Sequence, residues 1–197
     1  MFGIKIVEER KSKFNGKVRV IRSLGLGTYL QAGGITQSGG VVTAIWQKTL
    51  KKIKSRQQEV KNCLILGLGG GTVVGLVRKY WPLAKVTGVE IDPVMVELGE
   101  KYLGLKGVKV KIQDAFDFPV QGYDLVVVDL YCGEKFPEKF ADEKFLHKLT
   151  QNKMVVFNRL YYGEKRKEAV KFGEKLEKIF KKVDCFYPEA NLMFFCR

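Results

Sequence analysis

The feature that most constrains the fold is a short apolar run that leads into a cluster of glycines, LILGLGGGTVVG at residues 64–75. From residue 62 onward, strand-like apolar runs alternate with helical patterns. Strands are predicted at CLILG, KVTGVEID, VKVKIQD, YDLVVVDL and KMVVFNRLYY, and helices over residues 72–80, 93–102, 142–149 and 164–180. This alternation predicts an α/β fold with a mainly parallel sheet covered on both faces. The final segment, KVDCFYPEANLMFFC, predicts a C-terminal antiparallel hairpin.

The N-terminal segment has a different pattern. Two alternating stretches flank Asn15-Gly16, a dipeptide typical of a tight hairpin turn. A second hairpin is predicted to turn at Gly33-Gly34, and apolar residues then recur at helical spacing over residues 42–53. We therefore predict two domains, with β-hairpins and a linking helix over residues 1–58 and a Rossmann-like domain over residues 59–197.

Composition narrows the class of protein and its partners. Lysine and arginine outnumber aspartate and glutamate by 35 to 21, which gives a net charge of +14. Much of this charge lies in mixed Glu/Lys runs typical of a solvated helix face, so nucleic acid is a less favoured partner than a small molecule. The four cysteines have no CxxC spacing, so we expect neither a zinc site nor a redox motif. With no membrane-spanning run and no signal-peptide pattern, we expect a cytoplasmic protein without membrane contact, and a homodimer is left open.

The glycine cluster follows a strand and precedes a helix, as a nucleotide-binding loop must. It fits GxGxG, with Gly67, Gly69 and Gly71, but it matches neither a P-loop nor GxGxxG. Positions without side chains allow a tight turn and also allow a ligand to approach the backbone closely. The glycines alone therefore leave a nucleoside site and a simple strand–helix turn both open.

Acidic residues end the next three strands. Glu90 ends KVTGVE, Asp114 follows KIQ, and Asp129 follows VVV. Open parallel sheets bind ligands at the carboxyl ends of their strands, where a carboxylate can accept hydrogen bonds from ribose hydroxyls or an adenine amino group. The combination of the glycines with three acids at one edge predicts a nucleoside-binding site.

These motifs resemble a known family. LILGLGGG, VTGVEIDP, VKIQDAFDF, YDLVVVDLY and the N-terminal GGITQSGG look like the spermidine-synthase-like branch of the class I S-adenosylmethionine-dependent methyltransferase superfamily. The resemblance runs from about residue 25 to residue 191. It implies a Rossmann-like class I methyltransferase fold and a cofactor that is S-adenosylmethionine or its decarboxylated form. The expected product is S-adenosylhomocysteine or methylthioadenosine.

The resemblance also implies roles for individual residues. Gly67, Gly69 and Gly71 would wrap the nucleoside, Gln37 would contact its thioadenosine part, Glu90 would hold the ribose, and Asp114 with Ala115 would hold the adenine. Asp129 would be catalytic, helping to deprotonate the attacking amine. We predict that the acceptor contacts Trp46, Gln47, Tyr131 and Asn158.

The departures from the family bear on the substrate. The family's glycine loop carries an aspartate where this chain has Gly70, and a second aspartate follows the fourth strand where this chain has Cys132. Lys48 replaces a glutamate on the N-terminal helix. A polyamine needs carboxylates around its positive charges. The chain therefore keeps the family's residues for the nucleoside but lacks those for a polyamine.

We therefore expect a group transferase that binds an S-adenosylmethionine-type nucleoside. Methyl transfer to an unknown acceptor is narrowly favoured over aminopropyl transfer. The alternative from another class is a non-catalytic module that binds a nucleoside or nucleic acid.

Overall fold

The computed structural model describes residues 3–56 and 59–197. Its strands are β1 (Ile4–Ser12), β2 (Gly16–Ser23), β3 (Gly27–Ala32), β4 (Ile35–Gly39), β5 (Asn62–Leu66), β6 (Lys85–Glu90), β7 (Lys109–Ile112), β8 (Leu125–Val128), β9 (Val155–Leu160), β10 (Val183–Phe186) and β11 (Asn191–Cys196). Its helices are α1 (Gly40–Arg56), α2 (Thr72–Tyr80), α3 (Pro93–Tyr102), α4 (Glu143–Leu149) and α5 (Lys165–Ile179). Short 3-10 turns cover Ala115–Asp117 and Glu138–Ala141.

Both predicted N-terminal hairpins are confirmed. They form an antiparallel sheet in the order β1-β2-β3-β4. At the second hairpin, Gly33 and Gly34 have φ values of 58° and 83°, and a two-residue turn of type I′ requires positive φ at both of these positions. The predicted helix is also confirmed as α1, and its buried face carries Ile45, Trp46 and Leu50.

The larger sheet has the order β10-β11-β9-β8-β5-β6-β7. Neighbouring strands from β9 through β7 pair in parallel, while β11 runs antiparallel to both β9 and β10. The predicted mainly parallel sheet with a C-terminal antiparallel hairpin is therefore confirmed. The four parallel crossovers bring the carboxyl ends of β5, β6, β7 and β8 to one edge.

The sheet is covered on both faces because alternate residues of each strand enter different cores. Cys63 and Ile65 of β5 pack with residues of α1 and α2, while Leu64 and Leu66 pack with residues of α4 and α5. α1 thus shares a core with the strands that follow residue 59. The predicted division after residue 58 falls at residues 57–58, which lie outside the described residues, and it stays a prediction.

The N-terminal sheet is fixed to α3. Val18, Val20 and Leu30 pack against Met95 and Leu98 of that helix. At the N-terminus of α3, Asp92 is buried and caps the helix by accepting a hydrogen bond from the Val94 amide.

The same Asp92 carboxylate also accepts hydrogen bonds from Ser12 Oγ at 2.5 Å and Asn15 Nδ2 at 2.6 Å. These bonds hold the β1–β2 turn beside the edge where the parallel strands end. Within residues 3–56 and 59–197, no helix has the length and apolarity needed to cross a membrane.

Candidate functional site

A cavity of about 450 Å³ opens at the carboxyl ends of the parallel strands. The structure brings ten of the twelve predicted site residues to its walls: Gln37, Trp46, Gly67, Gly69, Glu90, Asp114, Ala115, Asp129, Tyr131 and Asn158. Gly71 and Gln47 do not line it. The cavity therefore lies where an open parallel sheet places its ligand.

The glycine loop between β5 and α2 requires its glycines. Gly67 has a φ of 83°, and a methyl group there would lie 2.1 Å from the carbonyl oxygen of Asp129. Gly69 has a φ of 53°, and its methyl group would lie 2.7 Å from Ser38 Oγ. The loop thus passes close to the end of β8 and to β4, and a side chain at Gly67 or Gly69 would clash with these segments.

Gly71 has a different position from the other two glycines. It precedes the first residue of α2 with a φ of 88°, and a methyl group there would meet Leu105 Cδ1 at 2.4 Å. Its conformation and packing are those of a strand–helix turn. The structure therefore gives Gly71 a place in the turn and not in the cavity wall.

Glu90 connects the end of β6 to the glycine loop. It is buried, its Oε2 accepts a hydrogen bond from the Gly69 amide at 2.7 Å, and its Oε1 accepts one from the Asp92 amide at 3.0 Å. Burial raises the pKa of Glu90, and the amides of Gly69 and Asp92 oppose that rise. Sequence reasoning gave Glu90 a ligand role alone, whereas the structure shows that it also holds the loop.

Asp114 and Ala115 lie at the end of β7. Asp114 Oδ1 accepts a hydrogen bond from the Phe116 amide at 2.9 Å, and Lys139 forms an ion pair with Oδ2. Burial alone would raise the pKa of Asp114, but Lys139 and the Phe116 amide hold it below its usual value. Ala115 is buried directly behind this turn.

Asp129 follows β8 and is held at both carboxylate oxygens. Trp46 Nε1 donates to Oδ2 at 2.8 Å, and Asn158 Nδ2 donates to Oδ1 at 2.8 Å. Burial raises the pKa of Asp129, and the bonds from Asn158 and Trp46 work against that rise. The carboxylate is thus fixed in direction and has a higher proton affinity than a solvated aspartate.

Trp46 and Asn158 therefore act on Asp129 as well as lining the cavity. The Trp46 side chain is 0% exposed, so most of its surface packs in the core. Asn158 is in turn oriented by Asn191 of β11, whose Nδ2 donates to Asn158 Oδ1 at 2.7 Å. Because Asn158 Oδ1 accepts this bond, its Nδ2 is the group presented to Asp129.

Tyr131 reinforces the same region. Its hydroxyl donates to the Asn158 carbonyl oxygen at 3.2 Å and accepts a hydrogen bond from the Leu160 amide at 2.9 Å. Burial raises the pKa of Tyr131 well above its ordinary value. The phenol therefore stays protonated and holds the end of β9.

Two glutamines have different placements. Gln37 Nε2 donates to the Gly133 carbonyl oxygen at 3.2 Å, so it joins β4 to the segment after β8 at the cavity wall. Gln47 is exposed on α1, and its carbonyl oxygen accepts a bond from the Tyr80 hydroxyl at 3.4 Å. The structure thus does not bring the Gln47 side chain to the cavity. Helical geometry explains this, since neighbouring residues point about 100° apart and Trp46 faces inward.

Sequence reasoning did not identify Asn191, Ser38 or Phe14. Asn191 reaches Asp129 only through another residue, and Ser38 Oγ accepts a hydrogen bond from the Gly70 amide at 2.8 Å. Phe14 lies in the β1–β2 turn and lines the cavity. The sequence carries a turn signal at Asn15-Gly16, but nothing local shows that this turn reaches the site.

The fold and site together define a Rossmann-like α/β protein with a cavity at the carboxyl ends of its parallel strands. Residues 45–184 match the family described as the spermine/spermidine synthase domain. The chain therefore belongs to that family.

Curated relatives fall into two groups. The chain is 27% identical over 154 residues to the mouse eEF1A lysine and N-terminal methyltransferase, an alignment that covers 68% of this chain and 22% of the relative. It is 32% identical over 97 residues to the polyamine aminopropyltransferase of Vibrio vulnificus, covering 45% of this chain and 32% of the relative. The chain thus spans no more than about a third of these relatives' lengths.

Solved structures share the fold. A probable spermidine synthase from Corynebacterium glutamicum superposes with a TM-score of 0.78 at 15% identity, covering 98% of this chain and 80% of the other. Human methyltransferase-like protein 13 in complex with S-adenosylhomocysteine has a TM-score of 0.64 at 22% identity, covering 80% of this chain and 81% of the other. These similarities confirm the predicted fold.

Proposed function

We propose that the cavity binds an S-adenosylmethionine-type nucleoside and that the chain transfers a group from its sulfonium to an acceptor. The observation that carries this proposal is the Asp129 carboxylate, held at both oxygens beside the glycine loop. Gly67 lies against the Asp129 carbonyl group, so the glycine loop and Asp129 border the same part of the cavity. Two structural neighbours support such a ligand, since one contains S-adenosylhomocysteine and another a transition-state analogue named AdoDATO.

In this proposal the nucleoside is held from three strand ends and from β4. Glu90 accepts hydrogen bonds from the ribose hydroxyls, and Asp114 with the Ala115 amide contacts the adenine. The backbone at Gly67 and Gly69 lies along the ligand, and Gln37 contacts the thioadenosine part. The uncharged loop position at Gly70 leaves no carboxylate to hold a cationic donor tail.

The reaction would be a direct displacement. A nucleophilic nitrogen of the acceptor forms a bond to the carbon on the sulfonium, the carbon–sulfur bond breaks, and the electron pair stays on sulfur as a neutral thioether. Asp129 accepts the proton that the nitrogen gives up, and the burial that raises its pKa increases its affinity for that proton. Alignment of the two reactants would supply much of the rate.

The charges around the cavity favour methyl transfer. Its acidic lining residues are Glu90, Asp114 and Asp129. In the proposed complex Glu90 holds the ribose, and Asp114 pairs with Lys139 and contacts the adenine, so Asp129 is the carboxylate left for an acceptor among the described lining residues. Lys48, where the family has an acid, turns away and pairs with Glu189. Asp129 could pair with only one of the several positive charges of a polyamine, whereas it could pair with the whole charge of an acceptor that has a single amine.

Aminopropyl transfer is the second candidate. It is supported by the family match over residues 45–184 and by two spermidine synthase structures that each cover 98% of this chain. On this alternative, decarboxylated S-adenosylmethionine would be the donor and methylthioadenosine the product.

Donor and product analysis tests the choice. The purified protein is incubated with each donor, together with either a polyamine panel or single-amine small molecules and peptides, and the nucleoside product is measured by mass spectrometry. Methyl transfer predicts S-adenosylhomocysteine with a single-amine acceptor, and this product should be lost in Asp129→Asn. Rapid formation of methylthioadenosine and spermidine would overturn the preference for methyl transfer.

A further inference from the structure

A second cavity, of about 560 Å³, lies next to the first. The two share Cys132 in their walls. The second cavity is bordered by the segment after β8, by the end of β9 and by the first turn of α5. Apart from Cys132, no described residue that lines the first cavity also lines the second.

Arg159 of β9 is the unusual residue of this cavity. It is only 7% exposed, and its guanidinium carbon lies 4.1 Å from the ring centre of Phe136 and 4.6 Å from that of Phe172. Its Nη1 is completely buried and has no hydrogen-bond partner in the described part of the chain. Burial lowers the pKa of Arg159, while Tyr131 and Glu168 act in the opposite direction. A buried cation without an acceptor is costly unless an anion joins it.

The neighbouring acids have other partners. Both carboxylate oxygens of Glu168 accept hydrogen bonds from Lys165 Nζ, at 3.1 and 3.3 Å. Burial, together with an interaction between the Tyr162 hydroxyl and Glu134, raises the pKa of Tyr162 to about 12. Tyr131 and Glu168 therefore favour the charged form of Arg159 electrostatically, while its buried Nη1 donates no hydrogen bond within the described part of the chain.

The charge of the lining limits the ligand. The basic lining residues are Lys135, Arg159 and Lys165, and the acidic ones are Glu134, Glu138 and Glu168. Because these formal charges cancel, a doubly charged phosphate would face three carboxylates without a net positive field. A single carboxylate brings half the charge of a doubly ionised phosphate into this neutral lining, and its two oxygens fit the planar donors of the Arg159 guanidinium.

We propose that the second cavity is a binding subsite for the carboxylate group of a small molecule, with Arg159 as its anchor. The carboxylate would accept hydrogen bonds from the guanidinium, which the Phe136 and Phe172 rings hold in place. This inference goes beyond the proposed transferase function and does not depend on it, because the two cavities are lined by different side chains apart from Cys132.

Thermal unfolding with matched salts tests the subsite. The full chain is titrated with sodium acetate against sodium chloride at equal ionic strength, and in a separate arm with inorganic phosphate. Acetate should raise the unfolding temperature of the wild type in a saturable way, because a ligand that binds the folded state stabilises it. Arg159→Met should weaken acetate binding at least tenfold, as expected for a lost charge-assisted pair.

A matched control separates this site from the general surface charge. Arg166 is an exposed arginine that lies over Tyr161, outside the second cavity, and Arg166→Met should respond to acetate like the wild type. Without acetate, Arg159→Met should unfold at the wild-type temperature or above it, since an unpartnered buried cation has been removed.

Two further measurements keep the test decisive if Arg159→Met folds poorly. Arg159→Lys keeps the charge but loses the planar donors, so its acetate response should be reduced. In wild-type protein, nuclear Overhauser contacts should join the acetate methyl group to the rings of Phe136 and Phe172. An equal acetate response in wild type and both Arg159 variants, no response in the wild type, or a response to phosphate alone would overturn the proposal.

Discussion

Replacing Asn158 by leucine should change the proton affinity of Asp129. The substitution is close to isosteric and removes the 2.8 Å hydrogen bond to Asp129 Oδ1. A hydrogen bond to an ionised group contributes about 1.5–3 kcal/mol. The loss of this bond removes that much stabilisation from the ionised carboxylate, so it should raise the pKa of Asp129 further in the direction in which burial already moves it.

This shift has a defined effect on stability. An aspartate whose folded-state pKa lies above its unfolded value binds more protons when folded, so stability falls as the pH rises from the unfolded pKa to the folded pKa. The variant extends that window upward. Its stability deficit relative to wild type should therefore grow by about 1.5–3 kcal/mol as the pH rises through the folded-state pKa of Asp129.

Urea unfolding at a series of pH values measures this change. The cost of leaving Asn191 without its acceptor is independent of pH, so the pH-dependent part reports Asp129 alone. The control is the Asp129→Asn background, in which Asn158→Leu should show a deficit that does not vary with pH. A deficit in the native background that is equal at pH 4 and pH 8 would refute the proposed coupling between Asn158 and Asp129.

The remaining predictions concern the glycine loop and the surface charge. Glu90→Ala removes the acceptor of two backbone amides and should lower stability by about 2–4 kcal/mol in urea unfolding at neutral pH, and an unchanged midpoint would contradict its role in the loop. Gly67→Ala should destabilise by more than about 2 kcal/mol, because of its positive φ and the Asp129 carbonyl, whereas Gly75→Ala, exposed in α2 with open space around it, should stabilise by about 0.5–1 kcal/mol. We do not expect the chain to bind nucleic acid through its net charge of +14. Binding in fluorescence anisotropy, with an affinity that falls steeply as salt is added, would contradict this expectation.

Much of the fold follows from local signals in the sequence. α2 and α3 begin and end at the predicted residues, because Gly71 stands before α2 and the pair Asp92-Pro93 is a strong helix start. α4 begins one residue later than predicted, because Asp142 precedes the helix instead of joining it, and α5 is one residue shorter than predicted at each end, with Glu164 before it and Phe180 after it. Capping residues carry this information within a few positions.

Local sequence signals do not predict the contacts between distant residues that build the site. Trp46 and Asp129 are 83 residues apart, and their hydrogen bond depends on α1 packing over the end of β8. Asn191 meets Asn158 because β11 lies beside β9, a strand order that the hydrophobic pattern does not specify. The sequence therefore predicted most of the side chains that line the cavity at the sheet edge, but not which of them orient one another.

Calorimetric titration with S-adenosylhomocysteine tests the central claim, a nucleoside site on the glycine loop, most directly. We expect one ligand per chain in the wild type. Affinity should fall about tenfold to a hundredfold in Glu90→Ala, as expected for lost charge-assisted ribose bonds, and should change little in Asp129→Asn. Wild-type protein that binds neither S-adenosylhomocysteine nor methylthioadenosine would contradict the account and leave the glycines of residues 67–71 as a tight turn alone.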